Sequence, residues 1–166
     1  MQFEIQGLDA ILKRMDAIKL GQMARRRLNE ALLIAERDAK MKAPADTGRL
    51  RSSITHEIRE TGADLRGVIG TVVPYGRWME FGSGRFYEGP GSSKGRHWPP
   101  ASALEVWAQR HGIASGYLVA RAIGLRGGLK PRRFLRNAIM ENRAKIVERI
   151  QRLADDVAKH IAGGKG

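Results

Sequence analysis

Residues 43–54, Ala43-Pro-Ala-Asp-Thr-Gly-Arg-Leu-Arg-Ser-Ser-Ile54, mark the place where the chain changes from one kind of local order to another. A residue before proline is biased away from helical angles, so a helix arriving at Ala43-Pro44 must stop there. Asp46-Thr47-Gly48 then reads as a turn. The Asp or Thr side chain can accept a backbone N–H, and Gly48 can take a positive φ without steric cost. From Ser53 the pattern changes to period two. Ile54, His56 and Ile58 fall on one face and Thr55, Glu57 and Arg59 on the other, which is a strand.

On the N-terminal side, Leu8, Ile11, Leu12, Met15 and Ile18 recur at three- and four-residue steps, the spacing of an amphipathic helix over 8–19. Gly21 is expected to break it before a second helix over 22–42. Ala24, Leu28, Ala31, Leu32, Ala35 and Ala39 share one face of that helix and permit close packing. On the C-terminal side, Thr61 to Asp64 makes a turn and Leu65 to Val73 is a second strand rich in β-branched residues. Segments 53–59 and 65–73 therefore pair as an antiparallel hairpin. The expected fold is α+β, a small sheet packed by an N-terminal helical pair and a long C-terminal helix.

The hairpin leads into a second marked stretch, Val73-Pro-Tyr-Gly-Arg-Trp-Met-Glu-Phe-Gly-Ser-Gly84. Pro74 ends the strand, Tyr75 to Phe81 forms a short helical segment, and Gly82-Ser-Gly84 closes it. Residues 82–100 hold five glycines, three prolines and three serines, the make-up of a long loop. Ser102-x-x-Glu105 has the form of a capping box for a helix running to about His111, ended by Gly112. Tyr117 to Leu125 is a further short helix, closed by Gly127-Gly128. Pro131 suits the first position of a last helix, which would reach Ile161 with Leu135, Ile139, Ile146, Ile150, Leu153 and Val157 on its apolar stripe. The expected organisation is one domain over 1–166, with a loop and helical insertion at 82–128 and a flexible tail at 162–166.

The 166 residues are 42% apolar and 28% charged, with no cysteine. Disulfides and thiolate metal sites are therefore excluded, and folding in the cytoplasm is expected. No stretch approaches the roughly 18 apolar residues of a membrane span, and the start lacks the layout of a secretion signal. The net charge is +13. Between Glu105 and Glu141 there is no acid, while Arg110, Arg121, Arg126, Lys130, Arg132, Arg133 and Arg136 fall inside. Such a zone attracts phosphate backbones or acidic protein surfaces.

Catalytic chemistry finds little support. His56, His97, His111 and His160 have no partner at metal-ligand spacing. His56, on the inner face of the first strand, reads as a satisfied structural histidine. Glu80, framed by Trp78, Met79 and Phe81, is the one carboxylate placed for a perturbed environment, and an arginine partner is its simpler role. The glycine clusters complete no nucleotide-binding fingerprint. No catalytic, cofactor-binding or metal-binding residue is expected.

In this order and spacing, the marked stretches resemble the tail-completion, or head–tail joining, proteins of long-tailed double-stranded-DNA bacteriophages. A motif like Ala-Pro-x-Asp-Thr-Gly-x-Leu-x-x-Ser-Ile is matched by Ala43, Pro44, Asp46, Thr47, Gly48, Leu50, Ser53 and Ile54. One like Tyr-Ala-x-x-x-Glu-Phe-Gly-Thr is matched by Tyr75, Glu80, Phe81 and Gly82, with Gly76 for Ala and Ser83 for Thr. One like Pro-x-Phe-Leu-x-x-Ala is matched by Pro131, Phe134, Leu135 and Ala138, with one extra residue before the Phe. The resemblance implies a non-enzymatic virion part at the neck, built in the host cytoplasm. It implies a homo-oligomeric ring, sixfold because the tail tube is, beside tail terminator and head–tail connector or stopper proteins. Arg121, Arg126, Lys130, Arg132, Arg133 and Arg136 are the candidate contacts to DNA in the channel or to acidic neighbours. A basic DNA-binding protein is the alternative.

Overall fold

The computed structural model describes residues 8–61, 64–91, 95 and 97–163. The fold is α+β. Helices α1 (Leu8–Lys42) and α2 (Arg49–Ser53) precede a two-stranded antiparallel hairpin of β1 (Ile54–Thr61) and β2 (Asp64–Thr71). Helices α3 (Gly76–Phe81), α4 (Ala101–Arg110), α5 (Gly116–Leu125), α6 (Phe134–Glu141) and α7 (Arg143–Gly163) follow.

The expected helical pair at the N-terminus is one helix of 35 residues. A glycine in a helix interior costs only about 1 kcal/mol relative to alanine, and the turns on either side of exposed Gly21 absorb it. One residue further on than expected, the strand begins at Ile54, because Arg49 to Ser53 close a helical turn in which the Ser52 N–H donates to the Gly48 carbonyl at 2.9 Å. The period-two pattern itself holds, with Ile54 buried, His56 and Ile58 half-buried, and Thr55, Glu57 and Arg59 exposed.

The final helix is also divided, and it starts at Phe134 rather than Pro131. Asn142 separates α6 from α7. Its side-chain amide donates to the Ala138 carbonyl at 3.0 Å and to the Asp38 carboxylate at 2.8 Å, a side-chain bond that competes with the helical ladder. At the other end of the chain, Ala162 and Gly163 are still helical, and the rest of the expected tail lies outside the described residues. The Ser102–Glu105 capping box does not form. Pro100 occupies the N-cap with no side-chain bond, and the Glu105 carboxylate accepts the Gly116 N–H at 2.7 Å instead, capping the next helix.

The chain groups into two compact units. One comprises the chain through Asp38, Thr55–Gly70 and everything from Ala138 onward. Leu32 of α1 lies against Gly67 of β2, and His56 is held between Asn29 at 3.0 Å and Glu36. The Arg27 guanidinium reaches Asp156 of α7 through two bonds, at 2.7 and 3.0 Å, and Glu30 at 2.8 Å. The predicted alanine stripe of α1 is buried at Ala31 and Ala35. The other unit comprises Ala39–Ile54 and Thr71–Asn137. Its core includes Leu50, Ile54, Ala108 and Phe134, and all three motif stretches fall within it apart from Ala138.

Candidate functional site

The three motifs are linked into one structure. In the first, Gly48 has φ 77° and α2 follows directly, so that Leu50 points inward and is 2% exposed. Thr47 accepts the Arg49 N–H through a long 3.4 Å bond. Asp46 pairs with Arg110 at 2.9 Å at the end of α4, and Pro44 is half-buried. The Ser53 hydroxyl meets the Thr71 hydroxyl at 2.6 Å, and Thr71 also accepts the Val73 N–H at 3.1 Å. These two bonds fix the Thr71 rotamer where the second motif begins.

That rotamer explains a departure from the motif. A Cβ at position 76 would stand 2.5 Å from the Thr71 methyl and 3.2 Å from Leu50. Alanine would force Thr71 out of its bonds to Ser53 and Val73, whereas Gly76 lets α3 start directly against the first motif. Tyr75, one residue earlier, is 42% exposed.

Glu80, at the far end of α3, is 5% exposed. One carboxylate oxygen accepts the Leu135 N–H at 2.8 Å and the other the Arg136 N–H at 2.9 Å. These are first-turn amides of α6, donors that a helix cannot satisfy internally, and a carboxylate there is also favoured by the helix dipole. The Glu80 carbonyl accepts the Arg133 N–H at 3.2 Å, and the Met79 carbonyl accepts that of Arg132 at 2.7 Å. These bonds hold residues 131–133 alongside α3, with Arg133 at φ 53°, and they are why Pro131 cannot start a helix. The arginine partner expected for Glu80 is thus replaced by backbone amides.

Beyond α3 the chain continues to pair with the third motif. Ser83, fully buried, donates its N–H to the Leu129 carbonyl at 2.9 Å, and its hydroxyl accepts the Leu129 N–H at 3.0 Å. The Arg85 N–H donates to Gly127 at 2.8 Å. Gly82, at φ 73°, has no room for a side chain, since a Cβ would stand 2.7 Å from the Leu129 carbonyl and 2.9 Å from Pro131. Phe81 packs its ring edge-on to buried Tyr87, with centroids 6.4 Å apart. Phe134 is fully buried and Leu135 half-buried. Residues 82–88, the start of the expected loop, therefore form an ordered clasp against 127–136.

The basic zone divides in two. Arg133 and Arg136 both reach Glu88, Arg136 at 3.3 Å. Hydrogen bonding from Arg133 holds the Glu88 carboxyl below its ordinary range, and the Arg133 guanidinium is raised in turn. Lys130 and Arg85 flank the Phe86 ring, at 5.9 and 4.7 Å from its centroid. Arg121, Arg126 and Arg132 are exposed and make no ion pair among the described residues. Glu88 and Ser83 were not singled out from sequence. Glu88 carried a signal, being the only acid between Glu80 and Glu105, while Ser83 stood in the second motif as a hydroxyl in place of threonine.

Among the described residues no group of His, Asp or Glu is placed to hold a metal ion, and no helix is long and apolar enough to cross a membrane. The arrangement binds backbone to backbone and orients surfaces. No curated protein and no solved structure matches the chain. A family model does match residues 8–82, described as "Bacteriophage HK97-gp10, putative tail-component". The span takes in the first two motifs and stops at Gly82, where the clasp to the third begins. Over residues 8–82 this chain therefore matches the HK97-gp10-like family of phage tail components, in keeping with the head–tail and tail resemblance of its motifs.

Proposed function

We propose that the chain is a structural subunit of the phage neck, a tail-completion or head–tail joining protein. It assembles with copies of itself into a ring, sixfold, that links the tail tube to the head connector, beside tail terminator and connector or stopper proteins. The observation that carries this reading is the match of residues 8–82 to a tail-component family. The clasp supports it. The buried polar groups of the second motif, Glu80 and Ser83, fix one piece of backbone against another, as an assembly part requires, and the Glu80 carboxylate has both oxygens committed.

Electron microscopy of assembled particles and native mass spectrometry of the purified chain test the reading. The expected result is a six-copy ring at the top of the tail. A chain that stays monomeric even with tail components present, or that is absent from finished particles, overturns it.

A second reading, a basic protein that binds double-stranded DNA, is favoured by the exposed Arg121, Arg126 and Arg132. It requires duplex binding that weakens steeply with salt and that is lost on charge reversal of Arg132. Arg133 and Arg136 contribute less, because Glu88 already engages both. Negligible duplex binding at low salt removes this reading.

A further inference from the structure

Helix α5 has two faces of opposite character. Gly116, Ala120 and Gly124, at four-residue steps, are buried, and the Trp98 ring lies flat against Gly124. The other face carries Tyr117, Leu118 and Leu125, exposed by 61%, 45% and 71%, interleaved with exposed Arg121 and Arg126. Three large apolar side chains in contact with water on one ten-residue helix are unusual for a surface with no partner.

The charges decide what can cover it. From residue 17 to residue 163, every aspartate and glutamate except Asp64 and Asp155 already has a partner within the chain. Over those residues a second copy offers few unengaged carboxylates to set against Arg121 and Arg126, and two copies each at net charge +13 would repel. DNA would answer the arginines but would leave Tyr117, Leu118 and Leu125 without apolar contact. A surface that is acidic and apolar together satisfies both sets.

We infer that the outer face of α5 docks a different polypeptide, through a segment that presents carboxylates around an apolar strip. This deepens the assembly reading by giving the chemistry of one neighbour and rests on it only in supposing that the chain has neighbours. Its test is separate from ring formation, so the failure of either can be told from the failure of the other.

The probe is a synthetic helical peptide with leucine along one face and glutamate flanking it, titrated into the isotope-labelled full chain at physiological salt. Amide shifts are expected to concentrate on residues 117–126. Affinity should fall at least tenfold in a Leu118→Ser, Leu125→Ser variant and likewise in an Arg121→Glu, Arg126→Glu variant. Charge reversal at exposed Arg143 and Lys145 of α7 should change it less than twofold. A peptide of the same composition with the leucines scrambled should bind at least tenfold more weakly.

Five results overturn the inference. The scrambled peptide binds equally well, or the α7 reversal weakens binding as much as the α5 reversal, which would make the attraction bulk charge. A 20-base-pair duplex moves the same amides at lower concentration than the peptide, which would make the face a DNA surface. The Leu118→Ser, Leu125→Ser variant loses self-association in native mass spectrometry while retaining peptide binding, which would make the occupant a second copy. Where a variant's own spectrum is altered away from α5, the wild-type shift map alone decides, and shifts centred outside 117–126 sink the proposal.

Discussion

In the unit that holds the motifs, the buried polar groups make their long-range bonds to backbone, while its ion pairs, Asp46 with Arg110 and Glu88 with Arg133 and Arg136, lie near water. Glu80 takes the N–H groups of Leu135 and Arg136, Ser83 exchanges two bonds with Leu129, and Arg132 and Arg133 donate to Met79 and Glu80. In the other unit the bonds run from side chain to side chain: Arg27 to Asp156 and Glu30, His56 to Glu36 and Asn29, Asn142 to Asp38, and Arg25 to Glu60. The first kind fixes where the chain goes and involves groups that are buried. The second ties elements whose paths are already set and leaves its charges near water. The two units should accordingly fail by different routes. Buried truncations should damage the motif unit, and acid should loosen the ion-paired one.

The largest effect should come from Phe134→Ala. Phe134 is fully buried, and removing a buried phenylalanine side chain costs about 3–5 kcal/mol. Urea denaturation would read this as a lower midpoint at unchanged slope. A loss below about 1 kcal/mol would mean that the third motif is not packed as described and that the contrast between units is false.

Glu80→Ala comes next. Two amides in a nearly dry site lose their acceptor, and each such orphan costs about 1–3 kcal/mol. Glu80→Gln retains one carbonyl acceptor and should lose roughly half as much. The pair of variants also tests assembly. If the clasp presents an interface, native mass spectrometry should show fewer complete rings for Ala than for Gln in proportion to their stabilities. Full assembly with Glu80→Ala at wild-type stability would detach the clasp from both roles.

For the ion-paired unit the lever is pH. Hydrogen bonds from Arg27 hold the Asp156 and Glu30 carboxyls below their ordinary values of 3.8 and 4.5. Depressed carboxyls contribute stability that is complete above the ordinary values and is lost as pH falls through the lower folded-state values. Denaturant midpoints measured from pH 7 to pH 3 should therefore fall in the wild type and fall less steeply in Arg27→Ala. Hydrogen exchange should place the acid-sensitive part in α1 and α7. Parallel curves for the two proteins would show that the Arg27 cluster is solvated rather than structural.

How far these units could be read from sequence follows the same division. The hairpin and the buried stripe of α1 were legible because their periods are local, with Ile54, His56 and Ile58 alternating inward and Ala31 and Ala35 one turn apart. The break at Asn142 was not, since it depends on Asp38, 104 positions away. Gly21 misled because a local propensity of about 1 kcal/mol was outweighed by the rest of a long helix. The clasp was half legible. Its motifs stood out, yet the partner of Glu80 was read as an arginine because side-chain charges are visible in a sequence and the free amides of a helix start are not. Glu88 was missed for a different reason. Its charge is visible, but it lies in the glycine-rich stretch outside the acid-free zone, 45 and 48 positions from Arg133 and Arg136, the two of the six candidate contact residues it engages.

The smallest expected effect separates backbone from charge at one residue. Arg133 sits at φ 53°, a conformation that costs a residue with a Cβ about 1–2 kcal/mol, and its guanidinium also pairs with Glu88. Arg133→Ala removes the ion pair and retains the strain. Arg133→Gly removes both, at a cost of about 0.5–1 kcal/mol from the greater freedom of glycine in the unfolded chain. The charge lost is the same in the two variants, so their difference isolates the backbone. Glycine should be the more stable by up to about 1 kcal/mol, and close to wild type overall. Equal stabilities would mean that residues 131–133 are not held against α3 by the Met79 and Glu80 carbonyls. The motif unit would then depend on its surface charges as the other unit does.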